Sequence, residues 1–167
     1  MHSDQIVISV MMDNVPGVLS RIAGLFSRRA YNIESITAGV TKNPKITRMT
    51  IVTKGDNHIL KQIIAQLSKQ VDVRDIKVLE PYESVVRELM LVKIMADNTN
   101  RRNLMSIVDI FKAKVVDVQP DCLIIELTGT QLKLEAFLDM LSEYQIAEIA
   151  RTGLAGLSRG SEGVKYY

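Results

Sequence analysis

The segment Asp13-Asn-Val-Pro-Gly-Val-Leu19 has the residue types and spacing best suited to hold a small molecule. It lies between an apolar run and an amphipathic one, so a helix begins inside it. The first N–H groups of a helix have no acceptor within the helix, and the positive end of its dipole lies beside them. Gly17 lacks the Cβ that would keep a ligand away, which suits a small anion or an amino-acid carboxylate. Asn14 either caps the helix or offers its side-chain amide to a ligand. Asp13 either holds an ammonium group or starts the turn.

No catalytic constellation accompanies this turn. There is no G-x-S-x-G elbow, no Walker or dinucleotide glycine pattern, and no carboxylate pair beside a histidine. His58, at a helix start, reads as a solvated residue, and Cys122, at a strand start, as a packed one. One cysteine and two histidines supply neither an internal disulfide nor a four-ligand zinc site. The chain is expected to carry no catalytic residue, cofactor or metal of its own.

The elements that position the turn follow from periodicity. Gln5 to Met12 reads as a strand, and Val18, Leu19, Ile22, Ala23, Leu25 and Phe26 share one helical face. Ile33–Thr41 and Ile46–Thr53 form a hairpin around Lys42-Asn-Pro-Lys45. Ile59, Leu60, Ile63, Ile64 and Leu67 stripe a second helix, and Val71–Leu79 closes a β-α-β-β-α-β unit. The order recurs in strand Val85–Ala96, a helix from about Asn100 to Ala113, strands Lys114–Val118 and Cys122–Thr128, a helix from about Gln131 to Tyr144, and strand Gln145–Arg151. The expected fold is α+β: two ferredoxin-like βαββαβ domains, residues 1–80 and 81–167, whose antiparallel sheets carry their helices on one face. At the equivalent turn, Asp97-Asn-Thr-Asn-Arg-Arg102 has no glycine or proline and two arginines, so it is not expected to bind a carboxylate in the same way. The first strand is apolar on both sides, with Ile6, Ile8 and Val10 on one and Val7 and Met11 flanking Ser9 on the other. Domain packing, oligomerisation or a partner must therefore cover the second face.

Composition removes several classes. The 167 residues are 47% apolar, with 21 Lys+Arg against 19 Asp+Glu, a formal charge of +2 and 5% aromatics without Trp. That is too neutral for an electrostatic nucleic-acid binder and too apolar for a disordered chain. No apolar run approaches the ~20 residues that span a bilayer, and Met1 to Asp4 do not open a signal peptide. A cytoplasmic protein without nucleic-acid or membrane partners is expected.

Asp13-Asn-x-Pro-Gly-Val-Leu-Ser-Arg21, followed by Gly24-Leu-Phe-Ser-x-Arg-x-Tyr-Asn-Ile-Glu-Ser-Ile36, resembles the ACT domain of the regulatory (small) subunit of acetolactate synthase, also called acetohydroxyacid synthase. Arg48-Met-Thr-Ile-Val52, Gln66-Leu-x-Lys-x-Val-Asp-Val73, Arg87-Glu-Leu-Met-Leu-Val-Lys-Ile94, Ala150-Arg-Thr-Gly153 and Gly156-Leu-Ser-Arg-Gly160 continue the likeness over nearly the whole chain. Ser161 stands where the family often has an acidic residue. The resemblance implies a non-catalytic chain that binds and activates a catalytic large subunit and transmits feedback inhibition by a branched-chain amino acid, usually valine. Thiamine diphosphate, Mg²⁺ and FAD belong to that catalytic partner. It further implies a homodimer through ACT domains. Asn14, Gly17 and Val18 would contact valine at the helix start, Asn32 and Ile33 would approach from the neighbouring protomer, and the isopropyl group would rest against Leu19 or Ile33.

Three other readings use the same topology. Acylphosphatases use such a loop as a phosphate cradle, but with an arginine in the loop, whereas Arg21 falls inside the helix. RNA-binding modules need aromatics on central strands, and Ile46–Thr53 has none. A free-standing ACT-domain sensor controlling another enzyme is the third, distinguished by whether the chain co-purifies with a thiamine-dependent large subunit.

Overall fold

The computed structural model describes residues 5–161 and Gly163; Met1 to Asp4, read above as no signal peptide, lie outside the described residues. The chain divides into two compact units. One comprises residues up to Val86 and the segment from Leu154, and the other Arg87–Gly153.

In the first unit, β1 (Gln5–Asp13), α1 (Val18–Arg28), β2 (Ile33–Val40), β3 (Ile46–Lys54), α2 (Asn57–Leu67) and β4 (Val73–Val78) follow in order. The sheet runs β2-β3-β1-β4 with every pairing antiparallel. Connections that skip a strand carry the helices to one face, as the ferredoxin-like topology requires. Ile6, Ile8, Val10 and Met12 of β1 meet Val18, Ile22, Leu25 and Phe26 of α1 and Ile63 and Leu67 of α2 in one core. Leu19, expected on the buried stripe, is 48% exposed because it lies at the stripe's edge in the first turn. Val71, read as part of β4, is exposed and precedes the strand.

The second unit repeats the pattern with β5 (Ser84–Met95), α3 (Arg101–Phe111), β6 (Lys114–Val118), β7 (Cys122–Gly129), α4 (Gln131–Met140) and β8 (Ile146–Arg151). Its sheet order is β6-β7-β5-β8. Met90, Val92 and Ile94 of β5, Leu104, Ile107 and Val108 of α3, and Leu134 and Phe137 of α4 form its core.

The first compact unit includes a segment from beyond residue 80. The chain leaves the first unit inside β5, at Val86, and returns at Leu154 to form β9 (Ala155–Ser158), a strand that periodicity does not announce. Leu154 packs with Val7, Val52 and Leu79, and Val86 joins them. The second apolar face of the first sheet is thus covered in part by the chain's own later segment. Gly156 makes that close approach feasible, since a Cβ there would lie 2.7 Å from both Leu79 Cδ1 and Val86 Cγ1. Arg48 Nη2 donates to the Gly156 carbonyl at 2.9 Å, so the Arg48 motif and the Gly156 motif are two halves of one contact.

Ser9 stands mid-strand on this face, fully buried, and its hydroxyl finds no hydrogen-bond partner among the described residues. A buried hydroxyl without a partner costs about 1–3 kcal/mol. Ser9→Ala is therefore expected to stabilise the chain by about 1 kcal/mol, read as a higher midpoint in urea at unchanged slope.

The Glu88 carboxylate is only 6% exposed and takes Arg151 Nε at 3.0 Å, Arg151 Nη2 at 2.7 Å and the Gly153 N–H at 3.1 Å. Thr152 brackets the same strand end, its hydroxyl accepting from Leu89 N–H at 3.1 Å. Gly153 adopts φ 82°, a left-handed bend that favours glycine. Arg151-Thr-Gly153 is therefore a lock that fastens the end of β8 to β5. Hydrogen bonds donated to Glu88, with the charge of that carboxylate, hold the Arg151 guanidinium above its ordinary pKa against the opposing effect of burial.

Candidate functional site

β1 ends at Asp13, and the turn to α1 is fixed by its backbone. Asp13 N–H donates to Asp72 O and Asn14 N–H to Lys45 O, both at 2.8 Å. Gly17 is the residue before the helix and has φ 81°, a conformation that strains any residue with a Cβ, and no side chain caps α1. The N–H of Val18 reaches Val15 O at 3.3 Å and that of Arg21 reaches Gly17 O at 3.0 Å. Among the described residues the N–H groups of Gly17, Leu19 and Ser20 have no backbone acceptor. Three donors at the positive end of a helix make a cradle for a carboxylate or similar anion.

Charges that sequence reasoning missed surround this cradle. Arg21 lies within α1, yet its side chain folds back along the helix, as helical side chains do. Its Nη1 comes within 3.3 Å of where a Gly17 Cβ would stand. Nε and Nη2 of Arg21 grip Asp72 at 2.8 and 2.6 Å. Asp13 is gripped in turn by both Nε and Nη2 of Arg74. Of the two sequence readings of Asp13, its carbonyl starts the turn, accepting from Val15 N–H at 3.0 Å, while its carboxylate is engaged by Arg74. The only sequence signal for these clamps is Arg21's place four residues after Gly17; their acidic and basic partners lie far along the chain.

Hydrogen bonds from Arg74, together with its charge, hold Asp13 below the usual carboxylate range, against a smaller opposing effect of desolvation. A depressed folded-state pKa contributes stability above the unfolded value, about 3.9, and loses it as pH falls through the folded one. The stability difference between the wild-type chain and Asp13→Asn is accordingly expected to be largest above about pH 5 and to vanish at the acid end. Urea unfolding at pH 7 and pH 3 checks this.

Asn14 donates from Nδ2 to Pro44 O at 2.9 Å, tying the turn to the β2–β3 hairpin rather than capping α1. Val18 is buried beneath the helix start, while Leu19 and Val15 are exposed beside it. Asn32 and Ile33 lie at the other end of the sheet. Ile33 pairs with Thr53, which pairs with Ile6, whereas the turn follows Asp13. Seven residues of β1 separate the two ends, about 24 Å at ~3.4 Å per residue. A single chain does not bring Asn32 and Ile33 to Gly17. Asn32 O accepts from Thr53 Oγ1 at 2.6 Å, and the left-handed residue ahead of β2 is Ala30, not Asn32.

The second unit braces the equivalent turn with side chains. Nη2 of Arg101 donates to Ala96 O, Gln119 O and Pro120 O at 2.9, 2.5 and 2.9 Å, stitching the α3 start to the β6–β7 hairpin. Asp97 caps the turn, accepting from the N–H groups of Thr99 and Asn100 at 2.8 and 3.0 Å. The Asn100 N–H, which corresponds to that of Gly17, is thus taken by Asp97, while among the described residues the N–H groups of Arg102 and Asn103 lack a backbone acceptor as those of Leu19 and Ser20 do. His58 hydrogen-bonds Gln62 on the exposed side of α2, and Cys122 is a free, half-buried thiol. Among the described residues no group of His, Cys, Asp or Glu side chains is placed to hold a metal, and no helix is long and apolar enough to cross a membrane.

Two ferredoxin-like units in tandem, the first with a left-handed glycine at its first strand–helix turn, place the chain among ACT-type proteins. The comparisons agree with this class and narrow it. Residues 8–75 match the family described as "AHAS small subunit-like ACT domain", and residues 87–160 the family "Small subunit of acetolactate synthase". The acetolactate synthase small subunit of Mycolicibacterium smegmatis is 46% identical over 94% of this chain and 92% of that protein. The isozyme 3 small subunit of Escherichia coli is 45% identical over 93% and 96%. The crystal structure of the small subunit from Thermotoga maritima superposes with a TM-score of 0.88 at 37% identity, covering 95% of this chain and 99% of that one. The chain belongs to the acetolactate synthase small-subunit family, the regulatory and non-catalytic partners of that enzyme's catalytic subunit.

Proposed function

We propose that this chain senses valine at the β1–α1 turn and carries its occupancy to the catalytic subunit of acetolactate synthase as feedback inhibition. The observation that supports this reading is the row of open N–H groups at Gly17, Leu19 and Ser20, beside a glycine held at φ 81°. These donors suit the amino acid's carboxylate, Asn14 orients its polar end, and exposed Leu19 offers an apolar wall for the isopropyl group.

The site is completed by a second copy. Of the two edges of the first sheet, β4 is guarded by Arg74, Asp75 and Lys77, whereas β2 carries only Glu34 and no lysine or proline. An unguarded edge invites a strand. Antiparallel pairing of β2 with its own copy joins two four-stranded sheets into one of eight. It sets the partner copy's Asn32 and Ile33 alongside this chain's Val40 end, which is the turn's end of the sheet. The homodimer through ACT domains therefore accounts for residues that one chain keeps about 24 Å apart.

The chemistry, pyruvate condensing with pyruvate or 2-oxobutyrate, belongs to the catalytic subunit with its thiamine diphosphate, Mg²⁺ and FAD. Valine inhibits by binding the restraining arrangement of the complex more tightly than the active one. A coupling of about 1–3 kcal/mol corresponds to roughly 5–150-fold in affinity, and linkage requires the same factor in how valine alters subunit association where that association distinguishes the two states. The test is acetolactate formation by the cognate large subunit, with and without this chain and valine. Activation by the chain, reversed by valine, supports the reading, while activation indifferent to every branched-chain amino acid removes the effector assignment.

A further inference from the structure

Residues 29–34, which carry the chain from α1 into β2, are held more firmly than a connection at a sheet edge requires. α1 ends in a left-handed cap: Ala30 N–H donates to Ser27 O at 3.1 Å and Tyr31 N–H to Phe26 O at 3.0 Å. Ala30 takes the position where glycine is usual, at φ 57°, so the cap is strained. Both sides of it are fastened. The Tyr31 ring stands edge-on to Phe26 with centroids 6.3 Å apart, and its hydroxyl donates to Gln62 Oε1 of α2 at 2.5 Å. Beyond the cap, fully buried Thr53 of β3 donates its hydroxyl to the Asn32 carbonyl at 2.6 Å. β2 then bulges between Ile33 and Ser35, an irregularity that re-aims side chains at a sheet edge. The backbone of Asn32 is thus fixed, while its exposed side-chain amide has no partner among the described residues.

A firmly placed backbone carrying an unused amide suits a group offered to something outside the chain. The Gly17 turn of the same chain lies about 24 Å away along the sheet. We propose that Thr53 and Tyr31 are positioning residues of the effector site and that they act in trans. They hold Asn32 and Ile33 where the neighbouring copy's Gly17 turn receives valine, and they contribute nothing to the turn of their own chain. Each of the dimer's two sites then combines the Gly17 of one copy with the Asn32 of the other. This rests on the valine reading and the homodimer above, and adds which residues set the second half of the site and on which copy they act.

The test is valine calorimetry on the full-length chain, with urea unfolding beside it. Thr53→Val keeps the side chain's shape and removes its hydroxyl, and Tyr31→Phe removes only the phenolic oxygen. Each is expected to weaken valine binding about three- to tenfold, the worth of one hydrogen bond. Thr53→Ser keeps the hydroxyl and loses a buried methyl, so its urea midpoint should fall while its affinity for valine stays that of the wild type. Mixed dimers decide the action in trans. With Gly17→Asp on one copy and Thr53→Val on the other, isolated through two different tags, both defects fall in one site. The other site is intact, so one valine per dimer is expected to bind at the wild-type affinity. A mixed dimer with no such site overturns the proposal, because defects confined to their own chains produce that result. Thr53→Val homodimers that bind valine as the wild type does overturn it too, as does affinity that follows the urea midpoint across the three variants. Wild-type affinity in the Gly17→Asp homodimer instead overturns the valine reading at the turn, and this proposal with it.

Discussion

Replacing Gly17 with aspartate is expected to weaken valine binding at least about 30-fold, roughly 2 kcal/mol, while the variant still activates the catalytic subunit. Two effects combine. The aspartate Cβ must accept φ 81° and would lie 3.3 Å from Arg21 Nη1, within reach of small side-chain adjustment. Its carboxylate then stands at the helix start, able to accept from the free N–H groups of Leu19 and Ser20 and to pair with Arg21. The protein would fill its own site with the group the effector brings, and charge-assisted bonds of about 1.5–3 kcal/mol each become unavailable to the ligand. Stability should change little, because capping offsets a strain of about 1 kcal/mol. Gly17→Ala brings the strain without the carboxylate, so its loss of affinity should be smaller. Calorimetry with valine and the acetolactate assay together check the pair; an aspartate variant as sensitive to valine as the wild type contradicts the assignment.

Arg151→Met is expected to destabilise the second unit by about 3 kcal/mol. The low end of the 3–5 kcal/mol for breaking a buried pair applies because the Arg151 side chain is 32% exposed while Glu88 is only 6% exposed. The variant leaves the Glu88 carboxylate with the Gly153 N–H as its remaining partner. For a unit of this size the change corresponds to a fall in Tm of about 10 °C or more. The double variant Glu88→Leu/Arg151→Met should lose less than the single one, since no uncompensated charge stays buried. Thermal unfolding of both decides it; a single variant within about 0.5 kcal/mol of wild type would show that the lock is ornamental.

Local pattern made most of the framework readable before any coordinates. Val18, Ile22, Leu25 and Phe26 are buried where a period of 3.6 places them, and β6 occupies Lys114–Val118 as its alternation indicates. Gly17 was legible for the same reason, since a glycine at the entry to a helix implies a special backbone. What stayed hidden depends on distant residues. The Arg21–Asp72 and Arg74–Asp13 clamps join positions 51 and 61 apart, and no local window contains both members. β9 is four residues, Ala-Gly-Leu-Ser, with no apolar alternation; it becomes a strand by pairing with β5, and its glycine fits against Leu79 and Val86. The return of the chain to the first unit was hidden with it, because Leu154 and Val86 bury the face of β1 that carries Val7. The motif Arg151-Thr-Gly153 was visible as a likeness, but its work as a lock on Glu88 needed three dimensions. Leu19 shows the limit of periodicity even locally: the residue sits on the edge of the apolar stripe and stays exposed.

The most direct test of the effector assignment is to follow backbone amide resonances of the isolated chain while valine is added. Large shifts at Gly17, Leu19 and Ser20, with a second set near Asn32 from the neighbouring copy and the Arg101 turn unmoved, are the predicted result. Saturable valine binding that leaves those three amides in place, or that moves the second unit's turn instead, would contradict it.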